Sequence, residues 1–168
     1  MQGLVRELTE FPHKAIIALL ARLVKGAEMG MDINEQNLDG LFAEARKAAD
    51  SAYAKYSKFR VGAALLAEDG TVFTGCNVEN RSYGLTICAE RTAVVKAVST
   101  GCRSFKALAI STPDSETPVG PCGACRQVLS EFMPPSSPVI FGGSGSEKVL
   151  TTLGALYPFD SLHDLGKD

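Results

Sequence analysis

Three cysteines and one glutamate carry the chemical signal in this chain. Cys88 and Glu90 stand in Thr86-Ile87-Cys88-Ala89-Glu90-Arg91, and Cys122 and Cys125 in Pro121-Cys122-Gly123-Ala124-Cys125. Catalytic zinc takes three protein ligands and leaves a fourth position for water, with Zn–S bonds of about 2.3 Å. Cys88, Cys122 and Cys125 can fill that set. A Cys-x-x-Cys alone also occurs in redox sites and zinc ribbons, but a ribbon needs a second such pair and this sequence has none. Histidine does not complete a structural site either, because His13 and His163 lie near the two ends.

Residues two apart on a helix do not face each other. Cys88 and Glu90 can therefore share a site only if it lies off the N-terminal end of their helix, and Cys122 presents the same geometry. Two helix N-termini aimed at one point each bring about half a positive charge there and favour thiolates over thiols. A zinc ion with three thiolates still carries net negative charge, which weakens it as a Lewis acid, so a compensating cation is expected. Arg91 follows Glu90 and Arg126 follows Cys125. Arg91 is the candidate to hydrogen-bond a ligand sulfur from outside the ligand set. Glu90 is not a ligand in this reading; beside an activated water it can take a proton and pass it on, which is general acid–base work. Alone, Glu90 would read as a solvated helix residue, and the neighbouring cysteines reverse that.

The elements that must position these groups follow from periodicity. From Asn37 to about Tyr53, Leu38, Leu41, Phe42, Ala45, Ala49 and Ala52 recur at three- and four-residue steps and predict a helix with one apolar face. Phe59 to Ala67 reads as a strand buried on both faces, Glu68-Asp69-Gly70 as a hairpin turn, and Thr71 to Val78 as the returning strand. A second helix is expected from Cys88 to Thr100, a strand from Phe105 to Thr112, and a third helix from Cys122, ended by Pro134-Pro135. Pro138 to Phe141 and Lys148 to Thr152 make two further strands. The Gly142-Gly143-Ser144-Gly145-Ser146 run between them lacks the Gly-Lys-Ser/Thr ending of a phosphate loop and is read as a flexible hairpin. This order predicts an α/β fold, one mixed sheet with helices on its faces.

A chain of 168 residues suffices for one domain without a metal to hold it together, so a metal here is more chemical than structural. The net charge of −2 offers no basic surface for a nucleic-acid polymer. Five cysteines, three at ligand spacing, point to reduced thiols and a cytoplasmic location, with Cys76 and Cys102 left as small buried hydrophobes. The apolar run Ala15 to Val24 follows Lys14 as in a signal peptide. Arg22 interrupts it, no small-x-small site follows, and it falls short of the ~20 residues of a membrane span, so no membrane association is expected. A helix is expected there, with Pro12 in its first turn and Gly26 near its end. Met29 and Met31 are alternative starts of translation, to be decided by intact mass. Residues 1–34 are expected to form an extension and 35–168 the catalytic domain.

Cys-Ala-Glu-Arg at 88–91 and Pro-Cys-Gly-Ala-Cys-Arg-Gln-Val from Pro121, with Asn77-Val78-Glu79-Asn80 upstream, resemble the short, homotetrameric class of cytidine deaminases from about Asn37 to Phe159. The resemblance implies a five-stranded mixed sheet in a three-layer α/β/α arrangement, one Zn2+ per subunit and a small nucleoside substrate. It implies that water activated at the metal attacks C4 of the pyrimidine, that Glu90 shuttles protons, and that ammonia leaves. Asn77 and Glu79 match the pair that holds the ribose hydroxyls, Phe59 and Val61 match residues lining the nucleoside pocket, and the backbone of Ala89 matches the position that reads the base. Phe159 matches an aromatic that closes a neighbouring subunit's site, although its spacing after Pro158 is shorter than the family's.

The leading expectation is thus deamination of cytidine and 2′-deoxycytidine in pyrimidine salvage. The runner-up is a deaminase for another aminated ring, such as an aminonucleoside antibiotic. The alternative from a different class is a binding domain whose zinc is structural.

Overall fold

Asn34 starts the first helix among the described residues by accepting Asn37 N–H on its side chain at 2.9 Å. In this computed structural model, which describes residues 33–160, that helix, α1, spans Glu35–Ala49. It is followed by β1 (Gly62–Ala67), β2 (Val72–Cys76), a 3-10 turn (Tyr83–Leu85), α2 (Ala89–Ser99), β3 (Phe105–Ser111), α3 (Gly123–Ser130), β4 (Pro138–Gly142), β5 (Lys148–Thr152) and the short α4 (Leu153–Leu156). The strands form one five-stranded sheet in the order β2-β1-β3-β4-β5. Only β3 and β4 run parallel, so the sheet is mixed.

Each face of the sheet carries its own helices. Leu38, Leu41, Phe42 and Ala45 of α1 pack on Ala64, Ala107, Ala109 and Ile140. On the other face, Ala89, Ala93, Val94 and Ala97 of α2, with Leu129 and Leu153, pack on Ala63, Leu65, Leu108, Ile110 and Val139. The result is a three-layer α/β/α sandwich whose strands β1 and β3 are buried on both sides, as their near-continuous apolar runs require. A register shift at Leu66/Ala67 pairs Ala67 with Phe105 and puts that ring on the same face as Leu108 and Ile110.

Two glycines let the helices lie directly on the sheet. A Cβ at Gly62 would stand 2.0 Å from Ala45 O, and one at Gly75 would stand 2.4 Å from Ala93 N and 2.5 Å from Ala89 O. The second contact seats the first turn of α2, which carries Glu90.

Several boundaries differ from the sequence reading. Helix α1 begins two residues before Asn37 and stops at Ala49, because Tyr53 N–H turns away to Asn77 O. Strand β1 starts at Gly62 and not at Phe59, since the Asn77 side chain takes the polar groups of Phe59 and Val61 that a ladder would use. Strand β2 ends at Cys76, with Val78 bridging Tyr53 and Ile87 instead. Helix α3 ends at Ser130, ahead of the proline pair. Cys76 and Cys102 are only half-buried, each thiol near a backbone carbonyl, Ser51 O at 3.3 Å and Ser104 O at 3.9 Å. The 3-10 turn and α4 were not anticipated. The Gly142–Ser146 run does connect antiparallel β4 and β5. Among the described residues no helix is long and apolar enough to cross a membrane. The expectations for Pro12 to Gly26, His13, Met29, Met31 and His163 fall outside the described residues.

Candidate active site

Cys88 and Cys122 each occupy the N-cap of a helix, α2 and α3, in extended backbone conformation, and neither uses its side chain to cap. Their sulfurs are therefore free beyond the helix ends. Cys125, in the first turn of α3, is fully buried. Sulfurs bound at about 2.3 Å in a tetrahedron stand about 3.8 Å apart. Here Cys88 Sγ and Cys122 Sγ are 3.9 Å apart, Cys122 Sγ and Cys125 Sγ 3.5 Å, and all three lie within 4.8 Å of one another. Donor chemistry and spacing both fit Zn2+.

Electrostatics around the sulfurs favour a thiolate at Cys88. Contact with the Cys125 thiol, supported by Arg91 and Cys122, lowers the Cys88 pKa to about 5, while Cys125, donating to Cys88 and buried, is pushed up. Arg91 Nη2 donates to Thr86 O at 3.1 Å and to Cys88 Sγ at 3.6 Å. Arg91 Nε is buried without a hydrogen-bond partner, a spare donor in a residue already bonded to a sulfur. Glu90 is 4% exposed in the first turn of α2, and burial, reinforced by the Cys88 charge, raises its pKa to about 7. A carboxyl poised near neutrality can both accept and return a proton.

Arg126 braces the second half of the cluster. Its Nε donates to Pro121 O at 2.8 Å and its Nη1 to Leu156 O at 3.0 Å, tying the approach to Cys122 to the end of α4. Tyr157 adds a hydroxyl bond to Gln127 at 2.6 Å.

A second group lies on the segment after β2. Asn77 and Glu79 are buried polar residues. Asn77 Oδ1 accepts Val61 N–H at 2.8 Å and its Nδ2 donates to Phe59 O at 2.9 Å. Glu79 Oε2 accepts Tyr56 N–H at 2.7 Å and Ser57 N–H at 3.2 Å, and Oε1 accepts the Ser57 hydroxyl. The hydroxyl bond and then the amide of Tyr56 hold the Glu79 pKa below the usual carboxylate range. Phe59, Val61, Asn77 and Glu79 thus form one hydrogen-bonded unit. The Val78–Ile87 bridge connects it to the strand-like approach to Cys88.

The structure brings together Cys88, Glu90, Arg91, Cys122 and Cys125 at the helix ends. Ala89, fully buried, sits at the first position of α2, where a backbone N–H has no helical acceptor. Phe159 is 89% exposed. Sequence reasoning did not identify Ser57 or Tyr56 as partners of Glu79. Arg126 was noticed only as a cation after Cys125, and that adjacency was the available signal.

A family model described as the cytidine and deoxycytidylate deaminase zinc-binding region matches residues 35–141. The chain is 56% identical over 122 residues to a cytidine deaminase of Sporosarcina psychrophila, covering 73% of this chain and 89% of that protein. It is 49% identical over 118 residues to a cytidine deaminase of Halalkalibacterium halodurans, covering 70% and 89%. Among solved structures, the cytidine deaminase of Burkholderia pseudomallei superposes with a TM-score of 0.68 at 46% identity, covering 71% of this chain and 95% of that one.

Proposed function

Because the chain belongs to the cytidine and deoxycytidylate deaminase family and is a zinc hydrolase of that kind, we propose that it converts cytidine and 2′-deoxycytidine, with water, to uridine and 2′-deoxyuridine plus ammonia. The observation that carries this reading is the buried carboxyl of Glu90 in the helix turn that begins at Cys88, with the three sulfurs gathered at the helix ends. Cys88, Cys122 and Cys125 would hold Zn2+, which would supply a Lewis acid that lowers the pKa of a water molecule enough for it to serve as a nucleophile near neutral pH.

Glu90 takes one proton of the attacking water and delivers it to the ring nitrogen, then takes the second, from the hydroxyl now on C4, and delivers it to the amine, which leaves as ammonia as the C4–N bond breaks and C4=O forms. Its raised pKa, due first to burial, supports both halves of that cycle. Arg91 offsets the excess thiolate charge. Ala89 N–H reads the pyrimidine, and Phe59 and Val61 line the pocket. Asn77 and Glu79 hold the ribose hydroxyls; each keeps hydrogen-bonding capacity beyond the backbone bonds it already makes, since a carboxylate has about four lone-pair sites and an amide two N–H donors.

The same reading has residues 35–168 as the catalytic domain behind an extension of 1–34, assembled as a homotetramer in the cytoplasm and serving pyrimidine salvage. Phe159 then closes a neighbouring subunit's site, a role for which its exposure leaves it available. The test follows ultraviolet absorbance of cytidine with the zinc-loaded protein, alongside a panel of other aminated rings. Conversion to uridine is expected. A zinc-loaded protein that leaves cytidine intact while deaminating another ring would move the substrate assignment.

A further inference from the structure

Residues 56–61 lead from the turn after α1 into β1 and contain no regular element of their own. Lys58 has φ +60°, which a residue with a side chain adopts at a cost unless its surroundings hold it there. Side chains from elsewhere supply that hold. From one side Glu79 accepts the amides of Tyr56 and Ser57, and Asn77 spans Phe59 O and Val61 N–H. The residue in the middle, Arg60, is held by Asp114 in the loop between β3 and α3. Asp114 Oδ2 accepts Arg60 N–H at 2.8 Å and Nε at 3.0 Å, and Oδ1 accepts Nη2 at 2.6 Å. Arg60 also approaches Asp50 Oδ1 at 3.7 Å.

Three consecutive residues are thus clamped by two planar groups, an amide on Phe59 and Val61 and a carboxylate on Arg60. Together they fix both peptide planes that flank Arg60, and so fix where the Phe59 and Val61 side chains leave the chain. Arg60 and Asp114 are both in reach of solvent, where an ion pair contributes little to stability. A carboxylate that grips a backbone N–H and a guanidinium at once is better explained by the orientation it imposes.

We propose that Asp114 is a positioning residue for substrate, holding the Phe59–Val61 wall through the backbone and guanidinium of Arg60. The proposal rests on the reading that Phe59 and Val61 line the nucleoside pocket. It requires that loosening the clamp weakens substrate binding while leaving the metal and Glu90 undisturbed.

The experiment compares wild type, Asp114→Ala, Asp114→Asn and Arg60→Ala as full-length, zinc-loaded proteins, measuring KM and kcat for cytidine. Misplacing a pocket wall with the chemistry intact should raise KM for Asp114→Ala by roughly five- to tenfold with kcat within about twofold. Asp114→Asn keeps an oxygen for the Arg60 N–H and should recover most of the loss. Arg60→Ala keeps the backbone half of the clamp and should fall between wild type and Asp114→Ala; it carries the test if Asp114→Ala does not fold. An unchanged KM, or a fall in kcat accompanied by loss of zinc, overturns the proposal, as does an Asp114→Asn protein as impaired as Asp114→Ala. A wild type that does not turn over cytidine takes the functional reading down with it, whereas an active wild type with indifferent variants defeats this inference alone.

Discussion

Three thiolates around Zn2+ leave an excess of negative charge, and Arg91 places a guanidinium nitrogen 3.6 Å from Cys88 Sγ while bonding Thr86 O with the same nitrogen. Removing it should weaken zinc retention by roughly ten- to a hundredfold, the usual effect of losing a partner that orients a metal ligand. Arg91→Ala challenged with a chelator and followed by zinc release checks this, with the fold monitored by circular dichroism. Zinc release as slow as wild type would make Arg91 irrelevant to the metal. Asp114 invites a test by pH. Hydrogen bonds from Arg60 lower its pKa from 3.8 to about 2. A depressed folded-state pKa means that the clamp's stabilisation is present above pH 3.8 and is lost as pH falls through 2. Urea unfolding of wild type and Asp114→Ala should therefore differ at neutral pH, by a small amount for so exposed a pair, and converge between about pH 4 and 2. A gap as large at pH 2 as at neutral pH would show that Asp114 acts by something other than its charge.

At the scale of elements, the placement of Glu90 depends on how closely α2 lies on β2, and Gly75 sets that distance. An added methyl would meet backbone atoms of Ala89 and Ala93, which cannot swing aside as a side chain can. Gly75→Ala should destabilise the fold by about 1–3 kcal/mol and reduce turnover by displacing the first turn of α2. Gly40 in α1 is the control: nothing lies within 4 Å of its added Cβ. There an alanine should stabilise by about 0.5–1 kcal/mol. Thermal unfolding of the two variants checks both signs. These same elements show how far the sequence was legible. The helices and the β1–β2 hairpin announced themselves through apolar period and the Asp69-Gly70 turn, where Gly70 has φ +89°. The true start of β1 was not readable, because the side chain of Asn77, 16 residues from Val61 and 18 from Phe59, captures the polar groups of both. Asp114 lies 54 residues from Arg60, and no local pattern reports such a contact.

For the whole molecule, the cysteine spacing sufficed to identify the metal cluster because each ligand sits at or just inside a helix start, a position that sequence signals mark well. What encloses the site is a different matter. Tyr53, Val78 and Ile87 are joined by bridges and exposed, and Tyr83 and Leu85 beside this segment are more exposed still. An apolar surface of this kind suits burial against further copies of the chain, in keeping with the proposed tetramer. Sedimentation at assay concentrations should give the mass of four chains, and a fully active monomer would contradict that assembly. In the proposed function Glu90 moves protons beside a zinc ion held by Cys88, Cys122 and Cys125. The most direct measurement sets Glu90→Gln beside wild type for zinc content and cytidine turnover. Glu90→Gln should be folded, hold wild-type zinc and be about 10²–10⁴-fold less active; a zinc-loaded Glu90→Gln protein with wild-type turnover would contradict a proton-carrying role for Glu90.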